Sequence, residues 1–396
     1  MAIRTPKRIV IACFDAGGGH RAAAQALLET IERPSWAVEI LRVDDVLTPL
    51  DPVHRVTGMR GGDLYNWTLR KGWTIGSAQV ISVMHGVIRL LHPQQVKLLR
   101  RSWKMLRPDL VISVIPHFNR ALYESLSAEA PGTPFLTVVT DLADYPPHFW
   151  LEPQDQHFVC GTDLAVEQAR NLGAPEDHIW RVSGMILHPR FYKPIKRDRR
   201  TERRKLGLDP DRPTGVVLFG GYGSRAMVDI ARRLSAATSK AQFVFLCGHN
   251  SELATDLRSL KLSYPAHIQE FTSKIVHYMW LADFLIGKPG PGSVSEALEM
   301  GLPVIVETGM KTLAQERYNV EWIKQQGVGI PLTRMKDLPA VVDQLLEAET
   351  YRRLRQRTRA LKNRAVFEIL GVIDKISAAS PANERNSRQE TIRDSF

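Results

Sequence analysis

A chain of 396 residues with 44% hydrophobic side chains can bury a sizeable core, and its length predicts two domains rather than one. No apolar run is long enough to cross a bilayer, and Cys13, Cys160 and Cys247 are too widely spaced for a zinc motif or a disulfide framework, so they are expected to be buried thiols in a reducing compartment. The formal net charge of +11 gathers in two clusters, one of Arg190, Lys193, Lys196, Arg197, Arg199, Arg200, Arg203, Arg204 and Lys205, the other of Arg352, Arg353, Arg355, Arg357, Arg359, Lys362 and Arg364. Clusters of this kind suit anionic headgroups or nucleic acid, or else are solvated faces.

The run Ile9 to Phe14 stops at Asp15, too early for a secretory signal, and reads as a first strand from Lys7. Asp15-Ala16-Gly17-Gly18-Gly19-His20 is a glycine turn into a helix over Arg21 to Ile31, and a second strand follows at Val38 to Val43. This βαβ unit places its loop at the carboxyl end of a strand, where doubly wound sheets bind ligands. Between Gly58 and Arg107 the pattern is helical and mixes Tyr65, Trp67, Trp73 and Trp103 with Arg70, Lys71, Arg89, Lys97, Arg100, Arg101 and Lys104. That mixture fits a membrane interface, or equally helices packed on a sheet with polar outer faces.

Strands at Asp109 to Val114 and Phe135 to Thr140 end at Pro116-His117 and at Asp141 to Trp150, so both loops should open on the same cleft as Gly17 to His20. His157 to Cys160 and a helix from Asp163 complete the first half, and the prolines and basic residues of His188 to Pro213 have the composition of a linker. The plan then repeats: a strand and glycine turn at Gly215 to Ser224, strands at Gln242 to Gly248 and His267 to Phe271, the apolar run Ala282 to Ile286, the loop Gly287 to Glu296, and Val304 to Val306. In the order strand, loop, helix, Lys288-Pro289-Gly290-Pro291-Gly292-Ser293 can bring backbone N–H groups and a helix N-terminus to a phosphate, and Glu296, one turn on, can accept from paired hydroxyls. The expected organisation is an α/β chain of two doubly wound domains facing across a cleft. Residues 1–190 are expected to form the first domain, 191–213 a basic linker and 214–350 the second domain, with 351–377 as basic helices that pack back toward the first domain and 378–396 as a disordered tail.

Taken together, Asp15 to Ala22, Pro108-Asp109, Ile112-Ser113-Val114, Thr140-Asp141-Leu142, Phe219-Gly220-Gly221, Cys247-Gly248-His249-Asn250, Lys288 to Ala297, Gly301-Leu302-Pro303 and Gln315-Glu316 resemble the monogalactosyldiacylglycerol synthase family, GT-B glycosyltransferases related to the peptidoglycan GlcNAc transferase. The resemblance implies inverting transfer of a hexose from a UDP-sugar to a membrane lipid hydroxyl, diacylglycerol foremost, with no cofactor and no essential metal. On their own chemistry, His20 has a suitable pKa for a general base or simply lines its turn, and Asp141 either orients the base, contacts the acceptor, or caps a turn. The implied acceptor side is Gly18, Gly19, His117, His148 and Trp150. The implied donor side is Gly221, Gly223, Ser224, Lys288, Pro289, Gly290, Gly292 and Ser293 for the phosphates, Glu296 for the ribose, Phe271 beside the uracil, and Gln315 with Glu316 near the sugar.

Two departures from the family pattern stand out: Pro146-Pro147-His148-Phe149-Trp150 replaces His-Pro-x-Trp-Phe, and no glycine directly precedes Gln315. The one Asp-x-Asp match, Asp209-Pro210-Asp211, sits beside a proline and reads as a turn. The expected setting is the cytoplasmic face of a membrane, held peripherally by anionic lipid, with no nucleic-acid partner. Competing readings are a transferase acting on a polyprenyl-linked acceptor, a dinucleotide-dependent oxidoreductase using Gly17-x-Gly19-x-x-Ala22 with Asp44 or Gly221-x-Gly223-x-x-Ala226, and a non-catalytic basic membrane-binding protein.

Overall fold

The computed structural model describes residues 6–14, 18–31, 33–51, 54, 77–238, 240–308, 312–313 and 316–379. Asp15, Ala16, Gly17, the aromatic and basic residues between 55 and 76, Gln315 and the expected tail from 380 onward lie outside the described residues. The chain divides into two compact units, one drawn from Met1–Asp63, Ala78–Pro189 and Arg364–Phe396, the other from Leu64–Ser77 and Arg190–Asn363.

The first unit holds β1 (Lys7–Cys13), β2 (Trp36–Arg42), β3 (Leu110–Ser113), β4 (Phe135–Val138), β5 (His157–Cys160) and β6 (Ile179–Arg181). They form one sheet in the order β2-β1-β3-β4-β5-β6, every pairing parallel, with Ile9 opposite Leu110 and Ile11 opposite Ile40. Buried on both faces, β3 and β4 are continuous apolar or small-residue runs without alternation, as a central parallel strand requires. The second unit repeats the plan with β7 (Thr214–Leu218), β8 (Gln242–Leu246), β9 (Ala266–Gln269), β10 (Phe284–Gly287), β11 (Val304–Glu307) and β12 (Gly329–Leu332), ordered β12-β11-β10-β7-β8-β9. Its core lies on both faces of the sheet, with Val217, Phe243, Phe245, Phe284 and Ile305 toward one and Val216, Val244, Leu285 and Val304 toward the other.

In each sheet the chain leaves the first strand toward one edge and later crosses to the other, so a crevice opens beside that strand's carboxyl end. The switch falls between β1 and β3 in the first unit and between β7 and β10 in the second. These are the positions of the Gly18 to His20 loop and of the paired loops Gly220 to Ser224 and Lys288 to Gly292. The strands expected from sequence agree with the observed ones to within a few residues; the sequence reading did not include β6 and β12, the short edge strands. β12 carries Pro331, which an edge strand tolerates because, among the described residues, it pairs with a neighbouring strand on one side only.

The segment read as a linker is folded into the second unit. Asp198 caps the helix Arg199–Lys205, its side chain accepting from Thr201 N–H. Arg203, only 5% exposed, donates to the carbonyls of Leu281, Pro210 and Arg212 and pairs with Asp283 at 2.8 Å. Arg199 meets the same carboxylate at 2.8 Å, Arg200 pairs with Asp211, and Arg197 and Lys205 pair with Glu202. Much of the first basic cluster is therefore neutralised within the chain. Asp209 accepts from the Asp211 N–H, the geometry of a turn.

The two C-terminal helices part company. Ala348–Ala360 stays in the second unit, where Tyr351 donates to the Asp283 carbonyl. Ala365–Ala379 belongs to the first, held by Lys7 on the Ser377 carbonyl at 2.9 Å, by Glu368 on the Ser183 N–H at 2.7 Å, and by Arg33 with Asp374. Replacing Asp283 with Ala strands two arginines against buried carbonyls and removes the acceptor of Thr214 N–H, so a loss of about 3 kcal/mol is expected in chemical denaturation. A loss below about 1 kcal/mol would mean that the arginines find other partners.

Candidate active site

In the first unit, the helix Gly19–Ile31 starts at the switch point and carries His20 in its first turn. His20 Nδ1 lies 2.9 Å from the Val114 carbonyl oxygen, just past β3. A carbonyl only accepts, so Nδ1 holds the proton and Nε2 is the ring's acceptor, the tautomer a base acting through Nε2 needs. The ring is half-buried, and burial lowers its pKa to about 4 against the raising effect of the Val114 bond, so it is neutral near pH 7. Gly18 has φ 81, and a Cβ on Gly18 or Gly19 would meet nothing within 4 Å, so the turn before His20 has open space beside it.

Trp150 forms the wall behind His20, ring centroids 5.8 Å apart, and is fully buried. Being fully buried, Trp150 offers no surface of its own to an acceptor. Three buried polar groups hold it. Asp141 accepts the indole N–H at 2.8 Å, Asp144 Oδ1 accepts the backbone N–H at 2.6 Å, and Asn119, itself fixed by Ser113, donates to the carbonyl at 3.0 Å. Asp144 Oδ2 also accepts from the His148 N–H, and Gln168 brackets the Asp144 backbone with two hydrogen bonds. Burial raises the Asp144 pKa, opposed by those backbone donors. Sequence reasoning missed Asp144 and Asn119, since a loop aspartate and an asparagine opening a helix carry no signal of their own.

His117 and His148 both have positive φ, 68 and 63, and both belong to this wall. His148 is exposed. His117 is half-buried, its ring 4.2 Å from that of Phe149, and burial with the neighbouring His85 and His20 pushes its pKa down to about 3.

In the second unit two glycine turns meet at the β7/β10 switch. Gly220 and Gly223 have φ 78 and 61, and a Cβ on Gly223 would sit 2.6 Å from the Cys247 carbonyl oxygen. Gly248 packs on Gly221, whose carbonyl accepts the His249 N–H at 2.9 Å. Lys288 spans the two turns. Its Cε lies 3.7 Å from where a Gly220 Cβ would be and 3.5 Å from the corresponding point of Gly290, and its Nζ pairs with Glu316 at 3.2 Å.

The helix Pro291–Glu299 opens at Gly290 with Pro291 at its first position, a residue with no N–H to leave unsatisfied, while Gly292 has open space around it. Asn319, fully buried, donates to the Pro289 carbonyl at 2.7 Å and fixes the loop from behind. Ser293 hydroxyl donates to the Gly290 carbonyl, and Ser224 hydroxyl accepts from the Ala226 N–H. Glu296 is raised to about pKa 7 by burial, with Arg190 acting the other way. Phe271 is 55% exposed and stacks on His249, centroids 3.7 Å apart and planes 18° from parallel, which gives the rim a flat aromatic face.

The residues expected on the donor side, Gly221, Gly223, Ser224, Lys288, Gly290, Ser293 and Glu316, thus cluster at one switch point, and those expected in catalysis or on the acceptor side, Gly18, Gly19, His20, Asp141, His117 and Trp150, at the other. The architecture is GT-B, two Rossmann-like units in one chain. Residues 216–370 match the glycosyltransferase family 28 C-terminal domain, and the chain is a glycosyltransferase of the hexosyltransferase type. Across 94% of its length it is a relative of monogalactosyldiacylglycerol synthases, being 27% identical to the "Monogalactosyldiacylglycerol synthase, chloroplastic" of Spinacia oleracea and covering 73% of that protein. Among solved structures it is similar to MurG of Acinetobacter baumannii, at TM-score 0.61 and 10% identity over 93% of this chain and 100% of that one. The UDP-GlcNAc 2-epimerase of Neisseria meningitidis shares the fold at TM-score 0.57 and 12% identity, over 93% of this chain and 98% of that one, so the fold by itself does not name a reaction. The sequence relatives and the family match resolve the oxidoreductase alternative in favour of a glycosyltransferase.

Gly223 and Gly292 offer a paired test of the second unit's turns. Gly223→Ala forces a methyl against the Cys247 carbonyl at positive φ and is expected to cost about 2 kcal/mol in thermal or chemical denaturation, while Gly292→Ala, with nothing within 4 Å, stays within about 0.5 kcal/mol of the parent.

Proposed function

We propose that the protein transfers a hexose from a UDP-sugar to the hydroxyl of a membrane lipid, with inversion at the anomeric carbon. The observation that carries the reading is His20: Nδ1 tied to the Val114 carbonyl, Nε2 left as acceptor, at a switch point beside two glycines. The hydroxyl oxygen attacks the anomeric carbon, Nε2 takes the hydroxyl proton, and the carbon–oxygen bond to UDP breaks with the electron pair leaving on the diphosphate. The charge that develops there suits the N-terminus of the helix Pro291–Glu299, the backbone of Gly221 to Ser224, and Lys288. Glu296 accepts the ribose hydroxyls, Phe271 with His249 faces the uracil, and Glu316, with Gln315 beside it in sequence, takes the sugar. No metal or cofactor is part of this scheme, because helix N–H groups and a lysine supply the positive potential.

Galactose and diacylglycerol are the first pair to test, since those are the words in the relatives' names. Membrane attachment is supported by the helices Ser77–Leu90 and His92–Leu106, which expose Leu90 and Met105 by about three quarters beside Arg89, Lys97, Arg101 and Lys104. Among the described residues no helix is long and apolar enough to cross a membrane. A peripheral site on the cytoplasmic face of an anionic membrane fits this surface and the three buried free thiols. Incubation with a panel of UDP-sugars and either diacylglycerol or polyprenyl phosphate in anionic vesicles tests the reading. Glycosylated diacylglycerol supports it, glycosylated polyprenyl moves the acceptor class, and absence of any glycolipid product rejects it.

Two variants separate the halves of the reaction. His20→Ala should lower turnover by at least about 10³-fold while UDP binds within about threefold of the parent in calorimetry. Retained turnover removes His20 as the base. For Glu296 the sign follows from its raised pKa of about 7: in the empty protein the folded state holds a proton that the unfolded chain has released, so its contribution to stability is lost as pH rises toward 7, and it is the ionised form that accepts ribose hydroxyls. UDP affinity should therefore fall up to about tenfold between roughly pH 8 and pH 6 beyond the change seen in Glu296→Gln, which keeps the titration of the phosphate itself. Equal pH dependence in both proteins would exclude a ribose-binding carboxylate.

A further inference from the structure

The Phe149–Trp150 wall has a support that neither the motifs nor the reaction scheme includes. His85, on the helix Ser77–Leu90, lies with Nε2 2.6 Å from His117 Nδ1, the two rings edge to face at 4.6 Å. His117 in turn donates its backbone N–H to the Phe149 carbonyl at 2.7 Å and sets its ring against the Phe149 ring. Phe149 leads directly to Trp150, the wall behind His20.

A histidine held at φ 68 stays in that conformation only where its surroundings fix it. Here the fixing groups are the backbone bond to Phe149 and the imidazole bond to His85. One ring must donate and the other accept, which two neutral rings do with one N–H between them and two charged rings cannot do. Burial keeps the rings neutral: it lowers both pKa values, His117 to about 3, with Arg89 and His148 acting further on His85, and His85 and His20 acting further on His117. Asp144 and Asn119 hold Trp150 itself, but among these contacts only His85 reaches the wall from the helix whose outer face carries Met84, Val87 and Leu90.

We infer that His85 is a positioning residue, which through its hydrogen bond to His117 fixes the Phe149–Trp150 wall against which His20 is set. It touches neither sugar nor nucleotide and acts on the acceptor side alone. The effect on turnover rests on the transferase reading; the effect on the wall does not.

The test compares His85→Ala with His85→Gln, whose amide reaches about as far as Nε2 and restores one hydrogen bond without an imidazole. In the ligand-free protein, amide exchange at His117 and Trp150 should quicken at least about tenfold in H85A and stay within about threefold of the parent in H85Q. In transfer assays, kcat should fall about tenfold in H85A with KM for the UDP-sugar unchanged, and H85Q should recover most of it. Unchanged exchange in H85A, or exchange in H85Q as fast as in H85A, overturns the inference whatever the activity. Exchange that responds as expected in a protein that glycosylates no lipid upholds the positioning role and rejects the proposed reaction instead.

Discussion

The hydrogen bond between His20 Nδ1 and the Val114 carbonyl is the contact on which the chemistry proposed for the first unit depends. It joins the loops after β1 and β3, the two strands that part at the switch point, and it decides which ring nitrogen is left to accept a proton. Everything nearby serves that geometry. Glycines clear the space before His20, and Trp150 closes the space behind it. Asp141, Asp144 and Asn119 satisfy the polar groups that a fully buried indole and its loop backbone would otherwise leave unpaired at a cost of about 1–3 kcal/mol each. The low His20 pKa follows from the same surroundings: a ring partly withdrawn from water is harder to charge.

The second unit solves a different problem with the same topology. The turn Gly220 to Ser224 packs so closely on the loop after β8 that Gly223 and Gly248 could not carry a side chain, and the Lys288 to Gly292 turn meets it at the switch point. Lys288 bridges the turns and Glu316 anchors it, so one cation is shared between structure and site. Glu296, held half-buried on the helix after the loop, has its pKa raised to about 7 by burial, with Arg190 acting the other way.

The basic excess resolves into unlike parts. Arg199 and Arg203 are spent on Asp283 and on the carbonyls at the foot of β10, a fold-building role that composition alone would assign to a linker or a surface. By contrast Arg352, Arg353, Arg357 and Arg359 lie exposed along their helix, and Lys97, Arg101 and Lys104 line another beside exposed Met105. Burial, not charge density, separates these classes. A guanidinium can leave water only where carboxylate and carbonyl oxygens replace its hydration.

Much of the architecture was legible in the chain itself, because a strand buried on both faces must be an unbroken apolar run and a loop that meets a ligand closely must be rich in glycine. That is why β1, β3, β4, β7, β8 and β10 could be located from periodicity, and why His20, Lys288, Gly290 and Glu296 could be singled out by their places in the loop or first helical turns after a strand. The edge strands β6 and β12 escaped because a strand paired on one side needs neither length nor full apolarity. Other features depend on residues far apart in sequence: the His20 tautomer set by Val114, the burial that makes Trp150 a wall, the Asp283 anchor inside an apparent linker, and the meeting of His85 with His117. Strand order and the packing of helices on the sheets bring those residues together, and neither is encoded in any local pattern.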